Sequence, residues 1–173
     1  VTGDGWDDLI LLTSGIGFTP PYMMHVYENQ YPSWVLLQQF ALPERREPSA
    51  LGDFDGDGNL DIAAVGPLLP FPSPDDVQIF FGFVGGLFQN PVSYSMQYPQ
   101  PNQQLPAVRV GRLDGDSCDD LYCHFITGPQ VAQTWNVKVL WGDPARQMTV
   151  VDTVPFPGAT GAAQLLLGCD LDG

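Results

Sequence analysis

Hydrophobic residues in this chain form short runs that are separated by clusters of Gly, Pro and Asp. The runs are about four to eight residues long, which is a usual length for a β-strand. No segment keeps its apolar residues at the three- and four-residue spacing of an amphipathic helix. The pattern therefore predicts an all-β protein with many tight turns.

The predicted strands recur in groups of four, and an Asp-rich loop follows the first strand of each group. First strands are predicted at 48–52, 106–111 and 162–168; second strands at 9–12, 60–65 and 121–126; third strands at 23–27, 77–81 and 137–141; and fourth strands at 35–41, 87–94 and 148–154. Four short strands per repeat are typical of a propeller blade. We therefore predict one segment, 1–173, made of β-propeller blades of four antiparallel strands.

The predicted blades divide the chain unevenly. They are 1–47, which lacks its first strand, then 48–105 and 106–161, and finally 162–173 as the first strand of a further blade. This makes about three blade-equivalents, with one blade split between the chain ends. Propellers usually close with about four to eight blades, and open sheet edges invite strand pairing. We expect the partners to be further blades of a longer chain or of copies of itself. Joining Gly173 to Val1 does not restore the loop spacing, which favours the longer chain.

The Asp residues lie in a repeated nine-residue loop. Its most complete copy, residues 53–61, has Asp at positions 1, 3, 5 and 9 and Asn59 at position 7. Residues 112–120 repeat it with Arg112 at position 1, and partial copies open and close the chain. The fifth positions of the first three copies are 53 and 59 residues apart. Near-constant spacing of this kind indicates a true structural repeat.

Carboxylates at alternate positions indicate a metal site, because clustered negative charges repel each other unless a cation compensates them. The candidate ligands are Asp53, Asp55, Asp57, Asn59 and Asp61 in the complete loop; Asp114, Asp116, Cys118 and Asp120 in the second; Asp4, Trp6 and Asp8 in the opening copy; and Asp170 and Asp172 in the closing copy. The Asn59, Cys118 and Trp6 positions would offer backbone carbonyls. In the 112–120 loop, the Arg112 side chain could instead take the place of the ion.

The donor set favours Ca²⁺, which accepts about six to eight oxygen ligands. An EF-hand would need Glu at position 12 and a following helix, but that position is Ala64 and a β-type run surrounds it. Mg²⁺ prefers fewer protein ligands, and Zn²⁺ prefers Cys and His. Aspartate turns that cap hairpins without a metal are the alternative.

The charge of the chain follows these loops. There are 20 acidic and 6 basic residues, for a net charge of −14, and 17 of the acidic residues are Asp. Such a balance disfavours nucleic-acid binding and adsorption to anionic membranes. No run of 18 apolar residues occurs, so we expect no membrane insertion.

Two stretches resemble the FG-GAP/VCBS repeats of integrin α-chain-like propellers. Residues 52–61 (Gly-Asp-Phe-Asp-Gly-Asp-Gly-Asn-Leu-Asp) resemble the calcium loop of that family, and residues 77–82 with 85–88 resemble its Phe-Gly strand segment. The resemblance implies a propeller that binds Ca²⁺ between the first two strands of its blades. It also implies an extracellular structural or adhesive role.

Parts of the sequence also fit other functions. The four tryptophans, with Trp6 in a loop as the first candidate, would suit a lectin-like propeller that binds a glycan, but propeller cores also need large aromatic side chains. No nucleophile motif or phosphate loop occurs, so we predict no catalytic activity, although the chain could be an accessory module of a larger secreted enzyme. Cys118, Cys123 and His124 lack a fourth ligand for Zn²⁺. A disulfide from Cys118 to Cys123 or to Cys169 stays open.

Overall fold

The computed structural model describes residues 2–13, 21–42, 47–65, 77–95, 108–127 and 134–156, and every statement below concerns those ranges. Within them, all regular elements are β-strands, which confirms the predicted all-β class. The strands are β1 (Leu9–Thr13), β2 (Tyr22–Gln30), β3 (Ser33–Leu42), β4 (Glu47–Gly52), β5 (Asp61–Val65), β6 (Val77–Phe80), β7 (Gly82–Phe83), β8 (Leu87–Phe88), β9 (Val92–Tyr94), β10 (Val108–Gly111), β11 (Asp120–Thr127), β12 (Thr134–Trp141) and β13 (Thr149–Phe156). The described ranges hold no helix long and apolar enough to cross a membrane.

The strands pair antiparallel in successive sheets. Their orders are β1-β2-β3, β4-β5-β6-β9 and β10-β11-β12-β13, and β7 and β8 form a separate hairpin. The second and third sheets therefore have the predicted four strands in chain order. The described strands do not form a closed ring of sheets, so the propeller itself and its blade boundaries stay predictions.

The structure divides one predicted strand. Instead of a continuous strand over 87–94, β8 turns back onto β7 and β9 pairs with β6. Gly85 and Gly86 have φ angles of 91° and 72°, which allow the tight β7–β8 turn. Pro91 lies between β8 and β9 and has no N–H to donate to a ladder. The predicted strand 162–168 lies outside the described residues.

The two central strands of the middle sheet, β5 and β6, are buried on both faces. On β5, Ala63 and Val65 pack in a cluster with residues of the third sheet such as Leu121. The alternate residues Ile62 and Ala64 pack in a second cluster with residues of the first sheet. Because successive strand side chains point to opposite faces, this explains why β5 is a continuous apolar run. The three sheets thus stack face to face. The Asp loops lie beside the contacts between neighbouring sheets.

Candidate metal centre

The last Asp of the 53–61 loop and that of the 112–120 loop each accept hydrogen bonds from two backbone amides. One amide belongs to the loop itself, and the other lies just after a distant strand. The Asp61 carboxylate accepts hydrogen bonds from the N–H of Phe54 at 2.8 Å and of Gly82 at 2.7 Å. Asp120 repeats this pattern with Leu113 at 2.6 Å and Gly142 at 3.0 Å. A carboxylate that accepts backbone N–H bonds fixes both partners. These two residues therefore hold each loop against the end of the third strand of its sheet.

The opening loop uses the same arrangement. Asp8 accepts hydrogen bonds from the N–H of Thr2 at 2.7 Å and of Asn29 at 3.0 Å. In all three loops the distant partner lies 21 or 22 residues after the Asp. The repeat seen in the sequence is therefore also a repeat of hydrogen bonds. The sequence signal for this pattern is the recurrence of Phe81-Gly82 and Trp141-Gly142, in which each Gly lies 21 or 22 residues after its Asp.

Glycine at the distant partner position has a steric cause. A Cβ atom built on Gly82 would lie 2.2 Å from the Leu60 carbonyl oxygen, and one on Gly142 would lie 2.5 Å from the Asp119 carbonyl oxygen. Atoms of a side chain cannot come so close to backbone. The absence of a side chain lets the loop backbone approach the strand end closely enough for the Asp to reach it.

Aspartates at alternate positions also shape the loops without any ion. Their side chains accept a hydrogen bond from the backbone N–H two residues further on, in the pairs Asp4–Trp6, Asp55–Asp57, Asp57–Asn59, Asp114–Asp116 and Asp116–Cys118. Such Asx turns are a common role for Asp in loops. One carboxylate oxygen is enough for each turn, so the second oxygen can face another positively charged partner.

Three of the predicted ligands converge in the complete loop. Oxygen atoms of Asp53, Asp55 and Asp61 lie within 4.8 Å of one another. Ca²⁺ binds oxygens at about 2.3–2.6 Å, so ligands on opposite sides of one ion are about 5 Å apart. Asp53 Oδ2 accepts the Gly58 N–H at 3.0 Å, whereas Asp53 Oδ1 is buried and has no hydrogen-bond partner among the described residues. The cluster therefore fits a hard cation in both size and donor chemistry.

Burial and mutual repulsion disfavour the charged carboxylates. Burial raises the pKa of Asp61 to about 7, against the two backbone hydrogen bonds, and the Asp55 and Asp53 charges raise it further. Burial also raises the pKa of Asp53; the Gly58 N–H opposes this and the Asp55 charge adds to it. A bound cation would oppose both effects, because it favours the ionised form of its ligands.

The remaining predicted ligands do not converge as Asp53, Asp55 and Asp61 do. Asp57 is exposed and lies outside the converging three, and Asn59 donates to Asp57 through its side chain at 2.9 Å. Among the described residues no second group of three carboxylates converges, so Asp114, Asp116 and Asp120 in one loop and Asp4 and Asp8 in another stay predictions, as do the Cys118 and Trp6 carbonyls. Asp170 and Asp172 lie outside the described residues.

Whether Arg112 takes the place of an ion in the 112–120 loop stays open, and its contact in the structure is with Asp119. Arg112 Nε bonds Asp119 Oδ1 at 3.2 Å, and its side chain is 56% exposed. A different arginine reaches the complete loop: both Nε and Nη2 of Arg146 lie 2.6 Å from Asp55 Oδ2. Arg146 is 91 residues from Asp55, so no local sequence pattern could have indicated this contact.

The complete loop lies between the second and third sheets. The Asp53 N–H donates to Asp119 Oδ2 at 2.8 Å, and the Asp119 N–H donates to the Asp53 carbonyl at 2.7 Å. Phe54, at position 2 of the loop, is fully buried in the cluster that joins these sheets, and its carbonyl accepts the Asp143 N–H at 2.9 Å. An ion in this loop would therefore sit at a junction between two repeats.

Cys118, for which two disulfide partners were considered, is a buried free thiol. Burial raises the pKa of this thiol, and the Asp116 charge raises it further. It packs beside Gly56, where a Cβ atom would lie 3.1 Å from Sγ. Neither disulfide considered for Cys118 is formed, and the thiol serves as a small apolar group between two loops.

A scan against protein families finds the FG-GAP-like repeat over residues 1–64. Neither the curated proteins nor the solved structures gave a match. The matched segment contains the opening loop, the complete loop and the strands between them, and this match confirms the resemblance read from the sequence. Residues 1–64 carry an FG-GAP-like repeat.

Proposed function

We propose that this chain is a non-catalytic module that binds Ca²⁺ in the 53–61 loop and serves an extracellular structural or adhesive role. The observation that carries the proposal is the convergence of Asp53, Asp55 and Asp61, together with a buried Asp53 oxygen that has no partner among the described residues. The FG-GAP-like repeat supports it, since repeats of this type are generally non-catalytic and often bind Ca²⁺.

The loop residues would divide the work between them. Asp53 and Asp55 would hold the ion with Asp61, and Asp57 and the Asn59 carbonyl would complete the oxygen shell. The ion would neutralise charge at the junction of two sheets. A ligand that binds the folded loop and not the unfolded chain stabilises the fold by mass action. The proposed role of Ca²⁺ is therefore to hold neighbouring repeats together.

Isothermal titration calorimetry with Ca²⁺ tests this proposal. The chain offers a matched pair of variants, Asp53→Asn and Asp7→Asn, which remove the same charge. Asn at position 53 keeps an oxygen for the Gly58 N–H and replaces the unpartnered oxygen by an amide. Asp7 lies in an exposed loop and is not a predicted ligand.

We expect Ca²⁺ to bind the original chain and the Asp7→Asn variant with similar affinity. Binding to Asp53→Asn should weaken at least tenfold, because a carboxylate ligand is lost. Absence of Ca²⁺ binding to the original chain would refute the proposal. Equal binding by Asp53→Asn would place the ion elsewhere.

Glycan binding is a second candidate, favoured by exposed aromatic side chains near the opening loop. Trp6, Tyr31 and Trp34 are 62%, 82% and 52% exposed. Asn29, which pairs with Trp34 across the β2–β3 hairpin, donates its side-chain amide to the Asp7 carbonyl at 3.2 Å. Specific hits on a glycan array that disappear in Trp6→Ala would support a lectin, and an array without hits would count against it.

We also propose that the edge of β1 takes up a further strand. Among the described strands, β1 pairs only with β2, whereas the equivalent strands β5 and β11 each have two neighbours. A strand from further blades of the same chain, or from a second copy, would complete this sheet. Native mass spectrometry at several protein concentrations separates these cases, because pairing between copies produces defined oligomers.

A further inference from the structure

Arg146 is held in an uncommon backbone conformation beside the metal loop. Its φ angle is 59°, in the left-handed region that residues other than glycine seldom adopt. The turn is fixed by the Arg146 N–H, which donates to the Asp143 carbonyl at 2.8 Å, and by the Tyr94 hydroxyl, which donates to the Arg146 carbonyl at 2.8 Å. A strained residue persists only when its surroundings determine it, so the backbone position from which this side chain extends is well defined.

The guanidinium group of Arg146 is directed at the carboxylates of the complete loop. Nε and Nη2 both lie 2.6 Å from Asp55 Oδ2, and Nη2 lies 3.5 Å from Asp57 Oδ2. The group also stacks over the Phe81 ring, with Cζ 4.8 Å from the ring centre. The Asp55 side chain is 2% exposed and that of Arg146 is 28% exposed, so solvent screens this ion pair only weakly.

We propose that Arg146 is a built-in counter-cation that opposes Ca²⁺ at the 53–61 loop. The inference rests on the proposed function, because Asp55 is also one of the three converging carboxylates. Without Ca²⁺, the guanidinium offsets part of the negative charge at the loop. With Ca²⁺ bound, the same positive charge lies next to a divalent ion and repels it. Arg146 therefore stabilises the metal-free fold and lowers the affinity for Ca²⁺.

Positioning of Asp55 does not require Arg146. Asp55 Oδ1 already accepts the Asp57 N–H at 3.2 Å, and Asp55 is 5% exposed among packed residues. Removing the guanidinium should therefore leave the carboxylate in place while it removes the repulsion. The coupling must also be reciprocal: if Arg146 weakens Ca²⁺ binding, then Ca²⁺ must weaken the ion pair between Arg146 and Asp55.

Calcium titration of Arg146→Gln measures the effect of Arg146 on the affinity for Ca²⁺. Arg109→Gln is the control, since it removes the same charge from β10, where Arg109 bonds the carbonyl of its neighbour Val108. We expect Arg146→Gln to bind Ca²⁺ about tenfold more tightly, from the repulsion between a single and a double charge a few ångströms apart. Its metal-free form should melt at a lower temperature. Arg109→Gln should stay within about twofold of the original affinity.

The double variant Arg146→Gln with Asp53→Asn tests whether the increased Ca²⁺ affinity belongs to the 53–61 loop. If it does, the double variant must lose that increase. An unchanged or weaker affinity in Arg146→Gln would overturn the inference while leaving Ca²⁺ binding intact. If neither the original chain nor Arg146→Gln binds Ca²⁺, the proposed function and the inference both fail. Binding by Arg146→Gln alone would support the opposing role of Arg146, but the original chain would then lack Ca²⁺ binding and the proposed function would fail.

Nuclear magnetic resonance measures the effect of Ca²⁺ on the ion pair between Arg146 and Asp55. The measurement is made on the original chain. The Arg146 Nε–Hε signal can be assigned by its absence in Arg146→Lys. We expect slow exchange of this proton with water in the metal-free chain and faster exchange, with a shifted resonance, at saturating Ca²⁺. A signal that Ca²⁺ leaves unchanged would contradict the inference.

Discussion

Aspartate has two distinct roles in these loops. Asp8, Asp61 and Asp120 each accept two backbone N–H bonds and hold a loop to a strand end, so they contribute to the fold without any ion. Asp53 keeps a buried oxygen without a partner among the described residues, so its placement favours a ligand role. The same residue type therefore holds the fold at one loop position and is a proposed cation ligand at another, and Asp61 combines both.

A Gly82→Ala substitution should destabilise the fold by about 3 kcal/mol, because the new methyl group would overlap the Leu60 carbonyl, 2.2 Å from the Cβ position. The matched control is Gly111→Ala, whose Cβ atom would lie an ordinary 3.6 Å from the Tyr122 ring. This control should change the free energy of unfolding by less than about 1 kcal/mol. Urea denaturation measures both changes. Equal changes in the free energy of unfolding for the two variants would show that the close contact between Gly82 and the Leu60 carbonyl does not exclude a side chain.

The metal-free chain should become less stable as the pH rises from about 4 to about 7. The pKa of Asp61 is raised from 3.8 to about 7 in the fold, so the folded chain binds this proton more tightly than the unfolded chain does. Ionisation in that range therefore lowers the free energy of unfolding. The raised pKa values of Asp53 and Asp120 act in the same direction. Asp8, whose pKa is lowered to about 2, acts only below this range.

Thermal unfolding of the metal-free protein between pH 4.5 and 7.5 measures this dependence. Ca²⁺ should raise the melting temperature more at pH 7.5 than at pH 4.5, since a metal binds ionised carboxylates and releases their protons. A metal-free melting temperature that increases steadily with pH would contradict the account of Asp61.

At the scale of elements, equivalent loop positions differ in their surroundings. Phe54 at position 2 of the complete loop is fully buried between the second and third sheets, whereas Leu113 at the same position of the next loop is 42% exposed. The complete loop is thus a packed joint between sheets, and within the described residues the 112–120 loop is a more open surface feature.

A Phe54→Ala substitution should cost about 3–5 kcal/mol, because it removes a large buried side chain and leaves a cavity. Leu113→Ala should cost less than about 1 kcal/mol, because that side chain is partly in water already. Denaturation curves of the two variants give the comparison. Similar costs would mean that the loops contribute equally to contacts between sheets.

The strands were predictable from sequence because burial and turn residues are local signals. Runs bounded by Gly, Pro and Asp gave the four-strand groups that the second and third sheets contain. The β7–β8 hairpin was missed because β7 and β8 are only two residues each. Arg146 was missed because its contact with Asp55 depends on the stacking of two sheets. The convergence of Asp61 with Asp53 and Asp55 was predictable from loop spacing, but its bond to Gly82 was not.

For the whole molecule, acidity and stability are linked through the loops. Thirteen of the 17 Asp residues fall in the four predicted loops, and each Ca²⁺ would cancel two negative charges. The net charge of −14 is that of the chain alone, before any proposed ion is added. Carboxylates that are costly to gather without a cation become ligands once one is present.

The most direct test of this account is the melting temperature of the metal-free protein with and without Ca²⁺. At a Ca²⁺ concentration of 100 times Kd, linkage predicts a stabilisation of about 2.7 kcal/mol. For a chain of this length, that is an increase of roughly 5 to 10 °C. Asp53→Asn should lose most of the increase and Asp7→Asn should keep it. A melting temperature that Ca²⁺ does not change would contradict the claim that calcium holds this fold together.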